Sequence, residues 1–192
     1  MATEEITLAT GQKILTLREL LRPGLRAVFV GLNPSPVSVG VGHYWQGQHG
    51  IRRWALLREF EITPPLSRGA EDDAAFHIGY GFCDLVRRPT LSSADLSDEE
   101  LRLAPTNLVS RLSITGDHPV IVFTYATARK CAEDTVSQCG YSIGQMPGPY
   151  ASTAKVQATM LQLQDLLSTD LVFNAETVSF AASRPTHSGS RS

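Results

Sequence analysis

Three short segments hold the residue types best suited to chemistry. The first reads Gly31-Leu32-Asn33-Pro34-Ser35-Pro36 and runs on through Gly40 and Gly42 to His43, Tyr44 and Trp45. An Asn before a proline is often a turn former, because its side chain can hold its own backbone. The glycines change that balance by letting the backbone approach a ligand closely, and the rings of Tyr44 and Trp45 either stack on a flat ligand or fold back on the core. The second segment, Cys83-Asp84-Leu85-Val86-Arg87-Arg88, places one carboxylate beside a basic pair. With the other pair, Arg52-Arg53, it forms either a solvated surface or a local patch able to meet a few phosphates. The third segment, Met146-Pro147-Gly148-Pro149-Tyr150-Ala151-Ser152-Thr153, ends in residues that can cap a helix and present its first amides to an anion. His43 and His49 share the first loop but have no third ligand at metal spacing, so no metal centre is expected.

The elements around these segments alternate. Residues 27–32 and 119–124 are continuous apolar runs that suit strands buried on both faces. Residues 3–22 have apolar positions at loosely helical spacing, end at Arg22-Pro23-Gly24, and read as a covering helix. Residues 51–60 read as a helix, and 61–78 as a surface loop with an acidic cluster at Glu71, Asp72 and Asp73. A short strand and loop follow at 79–86. Ser97 then caps a helix that Pro105 should bend or split. A further helix at 126–138 ends at Gly140, and the last one runs to about Leu167. This order predicts an α/β fold, a three-layer α/β/α sandwich with a mainly parallel central sheet. The expected organisation is a covering helix over 1–25, one domain over 26–168 and a polar tail over 169–192 with a disordered end. In parallel sheets ligands sit beyond the carboxyl ends of the strands, which places all three segments at one rim.

The bulk properties exclude several classes. The chain has 192 residues, 42% hydrophobic and 19% charged, a composition that fits one soluble domain. No apolar run approaches the ~18 residues of a membrane span, and the opening MATEEITLAT lacks the regions of a secretory signal, so a cytoplasmic protein without a membrane partner is expected. Cys83, Cys131 and Cys139 include no CxxC pair, which disfavours a disulfide framework or zinc site and reads as buried small hydrophobes. Neither strand leads into GxGxxG or a P-loop, so a nucleotide-cofactor enzyme is a poor fit and no cofactor is expected. The net charge of −2 gives no global signal for nucleic acid.

From about residue 26 to 167 the chain resembles the mismatch-specific uracil and thymine DNA glycosylases of the uracil-DNA glycosylase superfamily. Gly31-Leu32-Asn33-Pro34-Ser35 is similar to that family's Gly-Ile-Asn-Pro-Gly motif. Trp45 stands twelve residues beyond the Asn, where the family has a base-stacking aromatic, and Trp54 matches a following tryptophan. Cys83-Asp84-Leu85-Val86-Arg87-Arg88-Pro89-Thr90, followed by Asp95-Leu96-Ser97 and Glu100-Leu101, resembles a second family block.

The resemblance implies that a base is extruded from DNA and stacked on Trp45, while Asn33 holds a water against the anomeric carbon. Backbone N–H groups near Leu32 and Trp45 would stabilise the departing base, with Gly42, His43 and Tyr44 completing the base pocket. Arg53, Arg88, Tyr150, Ser152 and Thr153 are the expected DNA contacts, the working unit is a monomer, and the expected substrate is uracil, including in G:U mismatches. A paired-carboxylate glycosidase would need two acids, and the rim offers only Asp84 as an obvious one. Two departures bear on specificity. Asp84 replaces the family's Asn or Lys, and an ionised Asp can only accept hydrogen bonds, which suits the N3–H of uracil. In the last segment Gly148 replaces a polar residue and the small Ser152 stands at the usual wedge position, leaving Tyr150 as the candidate wedge. The alternatives are the same fold acting on another damaged base, or a catalytically weak protein that binds DNA lesions.

Overall fold

The computed structural model describes residues 3–8 and 10–182, with side chains described up to Ser168. The chain opens with two strands, β1 (Thr3–Thr7) and β2 (Lys13–Leu17), where a helix was expected. They pair antiparallel with Ile6 opposite Ile14. Threonine and isoleucine favour the pleated strand, and Gly11 turns the chain at φ 82, a left-handed value that ends any helix. Thr16 Oγ1 donates to Arg87 O at 2.6 Å, which docks the hairpin on the main domain.

The main sheet contains β3 (Ala27–Gly31), β4 (Tyr80–Asp84), β5 (Val120–Phe123) and β6 (Ile143–Gln145). Its order is β4-β3-β5-β6 and every pairing is parallel. Helices α1 (Pro36–Val41), α2 (Gln48–Glu59), α3 (Glu71–His77), α4 (Asp98–Leu112), α5 (Ala126–Gln138) and α6 (Thr153–Ala182) connect or follow these strands. Strand periodicity divides the core in two. Ala27 and Phe29 face a cluster containing Trp54, Leu57, Met160 and Leu163 from α2 and α6. Val28 and Val30 face one containing Leu108, Leu112, Ala128 and Val136 from α4 and α5. The result is the expected α/β/α sandwich. Among the described residues no helix is long and apolar enough to cross a membrane.

Four local readings change. Residues 71–77 form α3 and Asp72 is fully buried, so the acidic cluster does not lie on a surface loop. Pro105 neither ends nor splits α4. A proline there leaves the Leu101 carbonyl without its helical donor, and the Cys131 thiol supplies one at 3.2 Å. Cys131 is therefore a hydrogen-bonding residue, and Cys139 is exposed; only Cys83 is buried as expected. Ser97 caps α4 as expected, in a reciprocal capping box with Glu100. The backbone of α6 continues to Ala182, beyond the expected end near Leu167, and residues 183–192 of the expected disordered end lie outside the described residues.

Gly81 on β4 marks the tightest join between the N-terminal segment and the sheet. Leu20 pairs with Phe82 through backbone bonds of 2.9 and 3.1 Å, and a Cβ on Gly81 would lie 2.7 Å from Leu20 O and 2.6 Å from Leu25 Cδ1. Gly81→Ala is expected to destabilise the fold by about 1–3 kcal/mol through overpacking against backbone. Urea denaturation checks this: the midpoint should fall while the m-value stays constant.

Candidate functional site

Parallel pairing sets Gly31 directly beside Asp84 at the carboxyl ends of β3 and β4. A Cβ on Gly31 would sit 2.0 Å from Asp84 Oδ1, so the missing side chain is what admits the carboxyl group. Both residues line a cavity of about 170 Å³ that also borders Asn33, Trp45, Arg53 and Tyr125. That is roughly the share of five or six liquid waters, or of one small ring.

Asn33 is held from one side only. Its Nδ2 donates to Thr90 Oγ1 at 2.7 Å and lies 3.3 Å from both Pro34 O and Arg88 O. The geometry assigns the amide orientation, since all three partners offer oxygen. Among the described residues nothing donates to Asn33 Oδ1, which is left as an acceptor for a molecule in the cavity.

Asp84 is 6% exposed, and among the described residues no hydrogen bond reaches its carboxyl group. Burial is the main cause that raises its pKa from 3.8 to about 7, and the negative charge of Glu19 adds to it. Arg111, Arg87 and Arg53 oppose the shift. Glu19 is itself raised by burial, although Arg111 Nε lies 2.9 Å away and Arg87 Nε 4.0 Å. The Glu19–Arg111 contact has the distance of an ion pair without hydrogen-bond alignment.

Trp45 both packs on the core and borders the cavity. Its ring meets Phe29 and Phe82 edge-on at 5.3 and 5.2 Å and lies 4.7 Å from Trp54. Its backbone has φ 60, rare for an aromatic residue, and its carbonyl occupies the space that a Cβ on Gly50 would take. The loop is held by Asp72, whose Oδ2 accepts from Tyr44 N at 2.7 Å and whose Oδ1 lies 2.9 Å from His43 Nδ1. His43, Asp72 and Asp73 place three possible ligand atoms within 4.8 Å of one another. Both Asp72 oxygens already have partners, so the group is accounted for as a clamp.

Several expected contacts are placed elsewhere. His43 turns to Asp72 and does not line the cavity. Leu32 packs into the core on the α4 and α5 face, and Gly42 closes α1 at φ 83 by donating to Ser38 O, so neither side of this pair reaches the cavity. Tyr44 does line it, with a ring buried against Phe82. Arg53 is 7% exposed, with its guanidinium 4.4 Å from the Tyr125 ring centre and 5.7 Å from that of Trp45. This buried cation is a wall of the cavity and not a surface phosphate contact. Arg88 is likewise engaged: its Nε and Nη2 reach the two Glu100 oxygens at 2.6 and 2.7 Å, and Nη2 donates to Asp95 O. That hydrogen bond from Arg88 is the main reason Glu100 titrates down near about 2. Ser152 caps α6, receiving Lys155 N at 3.4 Å, and Thr153 and Tyr150 are exposed beside it. Arg52 ties this loop to α2 by donating to Pro149 O at 2.7 Å.

Sequence reasoning missed Asp72, Arg53 as a pocket residue, and Tyr125. Tyr125 follows β5 at the same rim, so the strand-end rule could have found it. A larger, open cleft of about 410 Å³ lies beside Thr7, Arg87 and Arg111, and its guanidinium groups face Glu4, Glu19 and Glu100. No protein-family model matches the chain.

The raised pKa of Asp84 has a signed consequence for stability. Between 3.8 and about 7 the folded carboxyl keeps a proton that the unfolded one has lost. Stability therefore falls as pH rises through that window. Asp84→Asn is expected to flatten this part of the decline, measured as the difference between wild-type and variant unfolding free energies from pH ~4 to ~8.

Proposed function

We propose that the chain is a monofunctional DNA glycosylase that hydrolyses the N-glycosidic bond of uracil, including uracil opposite guanine. The reading rests on one observation above all: the Asn33 amide nitrogen is committed to protein acceptors while its carbonyl oxygen, beside the cavity, meets no donor among the described residues. A fixed acceptor of this kind can hold one water by a proton and aim its lone pair at the anomeric carbon of an extruded nucleotide. A neutral amide has little power as a base, so the chemistry depends on the glycosidic bond breaking toward an oxocarbenium-like sugar.

The remaining cavity residues suit the other demands of that reaction. Trp45 supplies an aromatic wall for the extruded ring. Arg53, held between Tyr125 and Trp45, brings a buried positive charge to the place where a departing base gains negative charge, and low dielectric strengthens that interaction. Asp84 faces the same space with no donor to its carboxyl group among the described residues. Ionised, it accepts from a ring N–H; protonated, it donates to a carbonyl. The partner on this reading is DNA, one copy of the chain is the working unit, and the cytoplasm is its compartment.

The test is single-turnover base release from labelled single strands and duplexes carrying uracil, a thymine mismatch or hypoxanthine. Asn33→Ala is expected to lower uracil release by about 100-fold or more while the fold persists. Release unaffected by this substitution, or no release by the wild type, overturns the reading. In the same assay Asp84→Asn is expected to change the ranking of the three bases, because an amide keeps its donor at every pH whereas the carboxyl group donates only while protonated.

A further inference from the structure

Among the described residues two large apolar side chains project almost wholly into solvent, Leu91 and Tyr150, each 92% exposed. The next most exposed of this kind among the described residues, Val37, is 59% exposed. A lone exposed leucine needs no explanation. Leu91 differs because the turn that carries it is braced on both sides. Thr90 N donates to Pro34 O at 3.3 Å and Thr90 Oγ1 donates to Ser92 O at 2.7 Å. Ser92 then forms a capping box with Asp95, whose carbonyl accepts from Arg88. The neighbours are pinned, and Leu91 is the one large apolar side chain of this exposed turn.

Its position connects it to the candidate site. Thr90 is the residue that receives Asn33 Nδ2 at 2.7 Å, so Leu91 stands one residue from the Asn33 tether. The turn follows β4 and Tyr150 follows β6, the two edge strands of the sheet. Their carboxyl ends are three strand spacings apart, roughly 14 Å. The ends of β3 and β5, whose following residues Asn33, Thr124 and Tyr125 line the cavity, lie between them.

We propose that Leu91 enters the duplex beside the extruded nucleotide, serving as a wedge carried by the loop after β4, opposite Tyr150 on the loop after β6. This inference rests on the glycosylase reading for its DNA partner. It assigns the filling of the vacated step to a different loop from the one that carries Ser152, whose side chain is too small to fill it. An apolar group inserted between bases offsets lost stacking and keeps the nucleotide out. Because Thr90 links both, insertion of Leu91 and alignment of Asn33 are set by the same turn.

The experiment compares uracil release from a duplex with release from the same sequence as a single strand, for wild type, Leu91→Ala, Tyr150→Ala and Ile114→Ala. Ile114 is an exposed control on the turn that leads into the amino end of β5. Leu91→Ala is expected to lower the duplex-to-single-strand ratio about tenfold or more, and Ile114→Ala to leave it unchanged. An unchanged ratio in Leu91→Ala, or a fall only in Tyr150→Ala, overturns the proposal. A second readout uses a duplex with an abasic site flanked by 2-aminopurine: wild type should brighten the probe by unstacking it, and Leu91→Ala should not. If wild type releases no uracil even from single strands, the glycosylase reading fails by itself, and equal brightening or no brightening by both proteins then overturns the wedge.

Discussion

The pairing of β3 with β4 is the constraint on which the candidate site depends. The parallel ladder does not stop where the strands do. Leu85 N donates to Gly31 O and Val86 N to Leu32 O, both at 2.9 Å, carrying the register two residues into the loops. Side-chain bonds then take over, from Asn33 to Arg88 and Thr90. Two loops from different strands are thereby fixed as one body, with Asn33 and Asp84 on its inner surface. A slip of one residue would turn the side chains to the opposite faces and replace Gly31 by a residue that excludes the carboxyl group.

The charges around that body are arranged in two ways. Arg88 and Glu100 form a forked pair at the surface, where water screens them and their main effect is to fix a turn. Asp84 and Glu19 instead sit near the sheet end beside Arg111, Arg87 and Arg53, where burial disfavours both carboxylates. Apolar replacements of the same volume would often serve stability as well or better. Shifted titrations concentrated at a cleft are a common mark of a functional site. Here they coincide with a cavity and with an amide oxygen, that of Asn33, which has no partner among the described residues.

Much of this was legible in the sequence, for identifiable reasons. The continuous apolar runs of β3 and β5 have only one economical use, burial on both faces, and they fixed the sheet. The strand-end rule then put Asn33, Trp45 and Asp84 at one rim, and all three line a single cavity. The hairpin was illegible because its few apolar positions fit a helix as well as a strand. Asp72 was hidden because an acidic run has the same composition whether its members are solvated or buried. Arg53 and Arg88 were placed on the surface because the sequence does not show the distant rings of Tyr125 and Trp45 or the pairing with Glu100.

The aromatic packing behind the cavity gives the protein an internal optical probe. Trp45 and Trp54 are the chain's two tryptophans, and their rings lie 4.7 Å apart with Trp45 on the cavity wall. The tryptophan emission of the chain therefore originates in one adjacent pair of indoles beside the buried Arg53 cation. Any flat ring that enters the cavity changes the surroundings of that pair directly, and its arrival can be followed in the unlabelled protein without waiting for a bond to break.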